Sequence, residues 1–328
     1  MDSKKFGNIT IEFENIYEQL FNSCNLTLEP MRKNALQYTI FQYVSILFLL
    51  PIVILGCTFL IIKLTTDLFV VLPVFSLFLL VIIIVILPIF FLLFNYLKHR
   101  PNNYYKKYCN VYKEEIIPNL IKIIDNQLIY KSLNNDDCSN VKTDYTKAIF
   151  DGEGFSRFYA YDCIEGYLNN DTPIKMYNLR TEHIDEYGNP CNVFQGIFTY
   201  FLSTKDIGTH IQILKKLPVT PNKSIKMDNE EFNKRFDVFS ENEIITMQLL
   251  TSDMMEQLVD FYDKYYISYD IEIRNNVVYM RFFTGPMFEP KIFGNSMDKQ
   301  LLFTYYCVLK FILEVTQKIN KTLQDLEI

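Results

Sequence analysis

Apolar residues change their spacing several times along the chain, and each change predicts a different element. Near the N-terminus Phe13, Ile16, Tyr17, Leu20 and Phe21 recur at helical intervals, with Glu12, Glu14 and Glu18 on the opposite side. This predicts a short amphipathic helix. Its polar face is acidic rather than Lys-rich, so it is expected to dock on protein, on the chain's own domain or a neighbour, and not to lie on a membrane. Residues 41–62, FQYVSILFLLPIVILGCTFLII, contain no ionisable side chain and as a helix would span roughly 33 Å. After Lys63-Leu-Thr-Thr-Asp67 a second uncharged run covers residues 68–94, roughly 40 Å as a helix against a hydrocarbon core of about 30 Å. Two transmembrane helices are expected, with Pro51, Pro73 and Pro88 as bends that a membrane helix tolerates.

Beyond the membrane runs the periodicity alternates between helix and strand. Residues 104–124 read as a helix interrupted or bent near Pro118, and 127–130 as a first strand. Residues 156–168, 173–184, 191–203 and 210–216 are rich in Tyr, Phe and Ile and are separated by turn residues, which predicts an antiparallel meander. Ser240 with Glu243 and Asp253 with Glu256 match capping boxes opening two consecutive short helices. Residues 268–274 and 277–283 flank Asn275-Asn276 as a hairpin. A last helix is expected over 298–323. Helices and strands in separate blocks indicate an α+β class. The organisation is thus an N-terminal amphipathic helix and lead-in (1–39), a two-helix transmembrane hairpin (40–97) and a cytosolic α+β domain with a mainly antiparallel sheet (98–328).

Charge fixes the expected orientation. Arg32 and Lys33 precede the first apolar run and Lys98, Arg100, Lys106 and Lys107 follow the second, whereas the short connection offers Lys63 alone. The positive-inside rule places both termini in the cytoplasm. The first apolar run begins too far from the N-terminus for a cleavable signal peptide, so it is expected to stay as an anchor. The mean hydropathy of +0.05 conceals this arrangement by averaging apolar runs with polar flanks. A net charge of −6 argues against nucleic acid as a partner. Seven cysteines without a C-x-x-C pair suggest a reducing compartment.

Candidate chemistry is sparse. Asp151-Gly-Glu-Gly154 lacks phosphate-loop spacing and reads as a turn before a strand. His183 lies beside Glu182, Asp185 and Glu186, but neighbours on a strand point to opposite faces, and His99 and His210 have no comparable partners in sequence; no metal is expected. Phe232, Phe236 and Phe239 form a helically spaced aromatic stripe expected to join the core. The apolar runs carry only Gln42, Ser45, Thr58 and Ser76 as appreciably polar side chains, which suits a tether better than a conduction path. No catalytic motif and no cofactor site are recognised.

Along the chain come the N-terminal helix, the two apolar runs, Asp162-Cys-Ile-Glu-Gly166, Val193-Phe-Gln-Gly-Ile-Phe198, Glu231-Phe-Asn-Lys-Arg-Phe-Asp-Val-Phe-Ser240, Leu249-Leu-Thr251 through Met255, Val278-Tyr-Met280 and Phe288-Glu-Pro290. This order of features resembles a bacterial membrane-protein family known as the domain of unknown function 3137. The resemblance implies a bacterial plasma-membrane location and supplies no activity and no catalytic residues. The leading expectation is a membrane-tethered interaction or scaffold domain without catalysis, with the lipid bilayer and a protein partner, or its own copies, as contacts. The alternatives are a ligand sensor or enzyme with a pocket in the middle sheet, using Asp162, Glu165 or His183, and an oligomeric channel or transport accessory in which Gln42 or Ser76 would matter.

Overall fold

A computed structural model describes residues 3–66, 102–133, 137–148, 150, 154–168, 171–216 and 224–325, with 3–10 and 45–66 given as backbone alone. The described elements are α1 (Ser3–Thr66), α2 (Asn103–Ile124), β1 (Ile129–Ser132), α3 (Cys138–Lys147), β2 (Arg157–Leu168), β3 (Thr172–Ile184), β4 (Pro190–Leu202), β5 (His210–Lys215), α4 (Glu230–Asn233), β6 (Phe236–Ser240), α5 (Glu243–Leu249), α6 (Ser252–Tyr265), β7 (Tyr269–Arg274), β8 (Val277–Phe282) and α7 (Lys299–Asp325). The class is α+β, as the blockwise pattern predicts. The chain divides into two compact units: Met1–Cys24 with Tyr112–Glu289 and Met297–Ile328, and Asn25–Val111 with Pro290–Ser296.

The first unit holds an eight-stranded antiparallel sheet in the order β1-β2-β3-β4-β8-β7-β5-β6. β2, β3 and β4 form the expected meander. β5 does not continue it, because the β7–β8 hairpin inserts between β4 and β5. That hairpin turns at Asn275-Asn276, with Asn275 in the left-handed region at φ 56°, which asparagine tolerates better than most residues. One sheet face packs against α3 through Val141 and Tyr145, which meet Cys163, Tyr177, Phe194 and Phe198. The other meets α7, where Phe311 lies against Tyr269 and Phe282 at ring separations of 5.6 and 5.5 Å.

The N-terminal amphipathic segment is the start of a much longer helix rather than a short one, and within the first unit it docks on the chain's own α7. Phe13, 1 % exposed, meets Phe303 and Tyr306 at 5.0 and 5.6 Å, and the Tyr17 hydroxyl donates to the Met297 carbonyl at 2.9 Å. The acidic face pairs with lysine: Glu14 with Lys299 at 2.5 Å and Glu12 with Lys310 at 3.1 Å.

Several local expectations are corrected. α2 runs through Pro118 uninterrupted, and the Asn119 side chain donates to the Glu115 carbonyl at 2.7 Å, reinforcing the turn around the proline. α5 is capped by Asn242, not Ser240, and α6 by Thr251, not Asp253. A box pattern marks the right neighbourhood, and the cap goes to whichever side chain has extended backbone at the boundary. The aromatic stripe is not helical: Phe232 lies on α4, while Phe236 and Phe239 fall on β6. Phe232 and Phe236 are buried as expected, and Phe239, an odd number of positions along the strand, packs on the opposite face beside the α3 cluster.

Among the described residues no helix is long and apolar enough to cross a membrane. The backbone of α1 stays helical through the uncharged run to Thr66; the side chains from 45 onward, and the whole of the run 68–94, lie outside the described residues. So do the acidic residues of the expected turn at 151–154, of which Gly154 alone is described.

Candidate functional site

Asp162 is a buried carboxylate of the first unit that three side chains contact. Between Ala160 and Asp162 the register of β2 against β3 slips by one residue, which lets Ala160 and Cys163 share the α3 face despite their odd separation. Asp162 takes the other face and is 1 % exposed. The Tyr130 hydroxyl donates to Oδ1 at 2.6 Å, the Asn178 amide to Oδ2 at 2.8 Å, and the Lys113 ammonium lies 3.2 Å from Oδ1. Lys113 also pairs with Glu289 at 2.7 Å. Burial would lower the Lys113 pKa, but the two carboxylates outweigh it and hold it above the usual lysine value. Burial, followed by the Asp162 charge, pushes the Tyr130 phenol far up. Asn178 donates in addition to the Met287 carbonyl at 3.0 Å, and Phe288 beside it adopts φ 63°. Both Asp162 oxygens are thus engaged by Tyr130, Asn178 and Lys113, and Asn178 ties the Met287 carbonyl to the same cluster.

Glu165 and His183 are not brought to it. Glu165 pairs with Lys131 across the β1–β2 edge. His183 is exposed near the end of β3; its neighbour Glu182 turns to Arg180 and Arg157, and Asp185 accepts from the backbone N–H groups of Tyr187 and Asn189 to close a turn. Among the described residues no group of three or more His, Cys, Asp and Glu converges as a metal site.

A second buried charge system lies on the α3 face. Asp270 and Arg281 are cross-strand partners at 2.6 Å, 0 % and 1 % exposed, and Asp270 also accepts from the Lys215 backbone N–H at 2.8 Å. The guanidinium lies 4.3 Å from the Phe150 ring centroid and 5.5 Å from that of Phe283. His210, which has no partner near it in sequence, meets the buried Glu272 at 3.1 Å. These are closed pairs, each acid already matched by a base.

The second unit contains a polar collar built from three separate chain segments. Asn102 closes it: its amide donates to the Ala35 carbonyl at 3.1 Å and the Thr39 hydroxyl at 2.9 Å, while its Oδ1 accepts from the Tyr105 N–H at 3.0 Å and caps α2. Residue 39 lies two positions before the first uncharged run and residue 102 follows the second, so the chain returns to the point it left. Arg32, expected as a flanking surface charge, is instead buried: it forks onto Glu29 at 2.6 and 2.9 Å and donates to the Ile292 carbonyl at 2.9 Å. The Arg32 hydrogen bonds, foremost, hold the Glu29 pKa down at about 2. Tyr105 and Tyr108 donate to the carbonyls of Pro290 and Lys291, and Ser296 contacts both Glu29 and Asn25. Around this collar Phe41, Tyr43 and Tyr104 are 69, 57 and 54 % exposed.

Comparison with known proteins adds one family. Residues 192–321 match the family model described as "Protein of unknown function (DUF3137)". The segments at 193–198, 231–240, 249–255, 278–280 and 288–290 fall inside that match, whereas Asp162-Cys-Ile-Glu-Gly166, the N-terminal helix and both apolar runs fall outside it, so the match is narrower than the resemblance read from sequence. No curated protein matches the chain. One solved structure is similar, the crystal structure of the mycobacterial trehalose monomycolate transport factor A, TtfA, at 8 % identity and a TM-score of 0.33, covering 57 % of this chain and 89 % of that one. A likeness that distant assigns no role.

Proposed function

We propose that this chain is a membrane-tethered, non-catalytic interaction protein of the bacterial plasma membrane. In this reading residues 40–97 form a two-helix hairpin, both termini are cytoplasmic, and residues 98–328 hold a protein partner or further copies of the chain at the membrane surface. The observation that carries the reading is the bonding of Asn102 to Ala35 and Thr39. α1 rises about 40 Å from Thr39 to Thr66, and the 35 residues that follow cover about 52 Å as helix, enough to return. Two uncharged runs of spanning length lie between those closed ends, and flanking charge favours a cytoplasmic collar.

Support for the non-catalytic part is the state of the candidate groups. Asp162 is buried and bound to Tyr130, Asn178 and Lys113, Glu165 and His183 lie elsewhere, and the remaining buried acids are paired. Support for an interaction surface comes from α5, where Ile244 and Met247, three residues apart on one face, are 72 and 51 % exposed. A photo-crosslinking residue in place of Met247 in the full-length protein is expected to capture a protein adduct in cells, with none from Lys321. Equal yields at the two positions, or none at either, would contradict the interaction role.

A further inference from the structure

Charge is segregated between the two units. Residues 25–111 with 290–296 carry eight Lys and Arg against two Asp and Glu, in a chain that holds 32 and 38. Glu29, one of those two acids, is bound to Arg32. The collar then gathers lysines from three segments. Lys33 follows Arg32, Lys106 and Lys107 lie between the clamp residues Tyr105 and Tyr108, and Lys291 sits between Pro290 and Ile292, whose carbonyls the clamp holds. All four lysines are exposed, with Lys33 at 64 %. Phe41 and Tyr43 at the start of the first uncharged run and Tyr104 beyond the end of the second are exposed in the same unit, as aromatic residues are at a bilayer interface.

From this juxtaposition we propose that the collar is a binding surface for anionic phospholipid headgroups, with Lys33, Lys106, Lys107 and Lys291 contacting the phosphates. The inference rests on the membrane-hairpin reading and goes beyond it, since a positive flank sets topology during insertion whatever the lipid. Topology needs charge only in the segments adjoining the runs. Lys291 lies far from them in sequence, and the buried Arg32–Glu29 pair together with two tyrosine hydroxyls brings it there. Lysine near an anionic surface gains about 1 kcal/mol per charge, about fivefold in affinity.

The test uses full-length protein extracted from membranes in mild detergent, with lipid retention read by native mass spectrometry at equal phosphatidylglycerol and phosphatidylcholine. Wild type is expected to retain phosphatidylglycerol preferentially, and K106Q/K107Q/K291Q to lose that preference at least tenfold, while K142Q/K226Q/K321Q, with the same change in net charge, keeps it. Equal retention of the two lipids by wild type, equal loss in both variants, or displacement of the lipid by excess inorganic phosphate would each overturn the proposal. Alkaline carbonate treatment of the same membranes separates the two ideas: protein that stays in the pellet without lipid preference sinks the collar alone, and protein released to the supernatant sinks the hairpin and the collar together.

Discussion

Asp162 illustrates how a buried charge can be structural rather than reactive. Its removal would leave Tyr130 and Asn178 short of an acceptor and Lys113 with Glu289 as its remaining carboxylate, in a site where breaking a buried pair costs about 3–5 kcal/mol. D162A is expected to lower the melting temperature by several degrees, followed by circular dichroism, and D162N by less because its oxygen still accepts from Tyr130. Gly196 is held by backbone approach: it adopts φ +156° and a Cβ there would collide with the Phe282 carbonyl oxygen. G196A should destabilise the protein by about 2 kcal/mol or more, read by the same melt. Glu29 gives a pH signature. Its folded pKa of about 2 lies below the ordinary 4.5, so its contribution is complete above about pH 4.5 and fades as pH falls toward 2. The stability difference between wild type and E29Q should therefore be constant near neutrality and shrink across that acid window; an unchanged difference at pH 2 would contradict the assigned Arg32 contact. The legibility of such pairs in the sequence differs case by case. Asp270 and Arg281 are equidistant from the Asn275-Asn276 turn, so the hairpin register alone places them opposite one another. The partners of Asp162 come from three distant segments and one register slip, and no local pattern announces them.

At the scale of elements, strong periodicity was readable and boundaries set by single side chains were not. The meander, the hairpin, α6 and α7 follow from alternation or from helical spacing sustained over many residues. α3 escaped because Cys138-Ser-Asn-Val-Lys-Thr-Asp-Tyr-Thr-Lys147 has weak helix formers and two buried apolar side chains, Val141 and Tyr145; tertiary packing on the sheet makes it helical. β6 was hidden by the coincidence that Phe232, Phe236 and Phe239 fit a helical interval across a helix–strand junction. The insertion of β7–β8 beside β4 is a long-range choice of partner that strand patterns do not encode. The docking of the N-terminal segment on α7 yields a direct prediction. F13A removes a ring buried between Phe303 and Tyr306 and should cost about 3–5 kcal/mol, whereas E14A, which breaks an exposed pair with Lys299, should change stability by less than about 1 kcal/mol. Equal effects of the two would show that the contact is electrostatic.

For the molecule as a whole, the sequence marks two uncharged runs, and the collar adds that Thr39 before them and Asn102 after them meet. The class of the large domain was legible; the site was legible only in part, because the flanking basic residues stand out in sequence while the clamp that gathers Lys291 beside them depends on Arg32, Tyr105 and Tyr108 reaching backbone carbonyls far along the chain. The central claim is that the chain crosses the membrane twice between Thr39 and Asn102, with the short connection on the far side. The most direct measurement labels a Thr65→Cys variant and the native exposed Cys191 with a membrane-impermeant maleimide in intact cells and after permeabilisation. The account predicts labelling at position 65 in intact cells and at Cys191 only after permeabilisation. Labelling of both positions only after permeabilisation would place the connection on the same side as the large domain and contradict the hairpin.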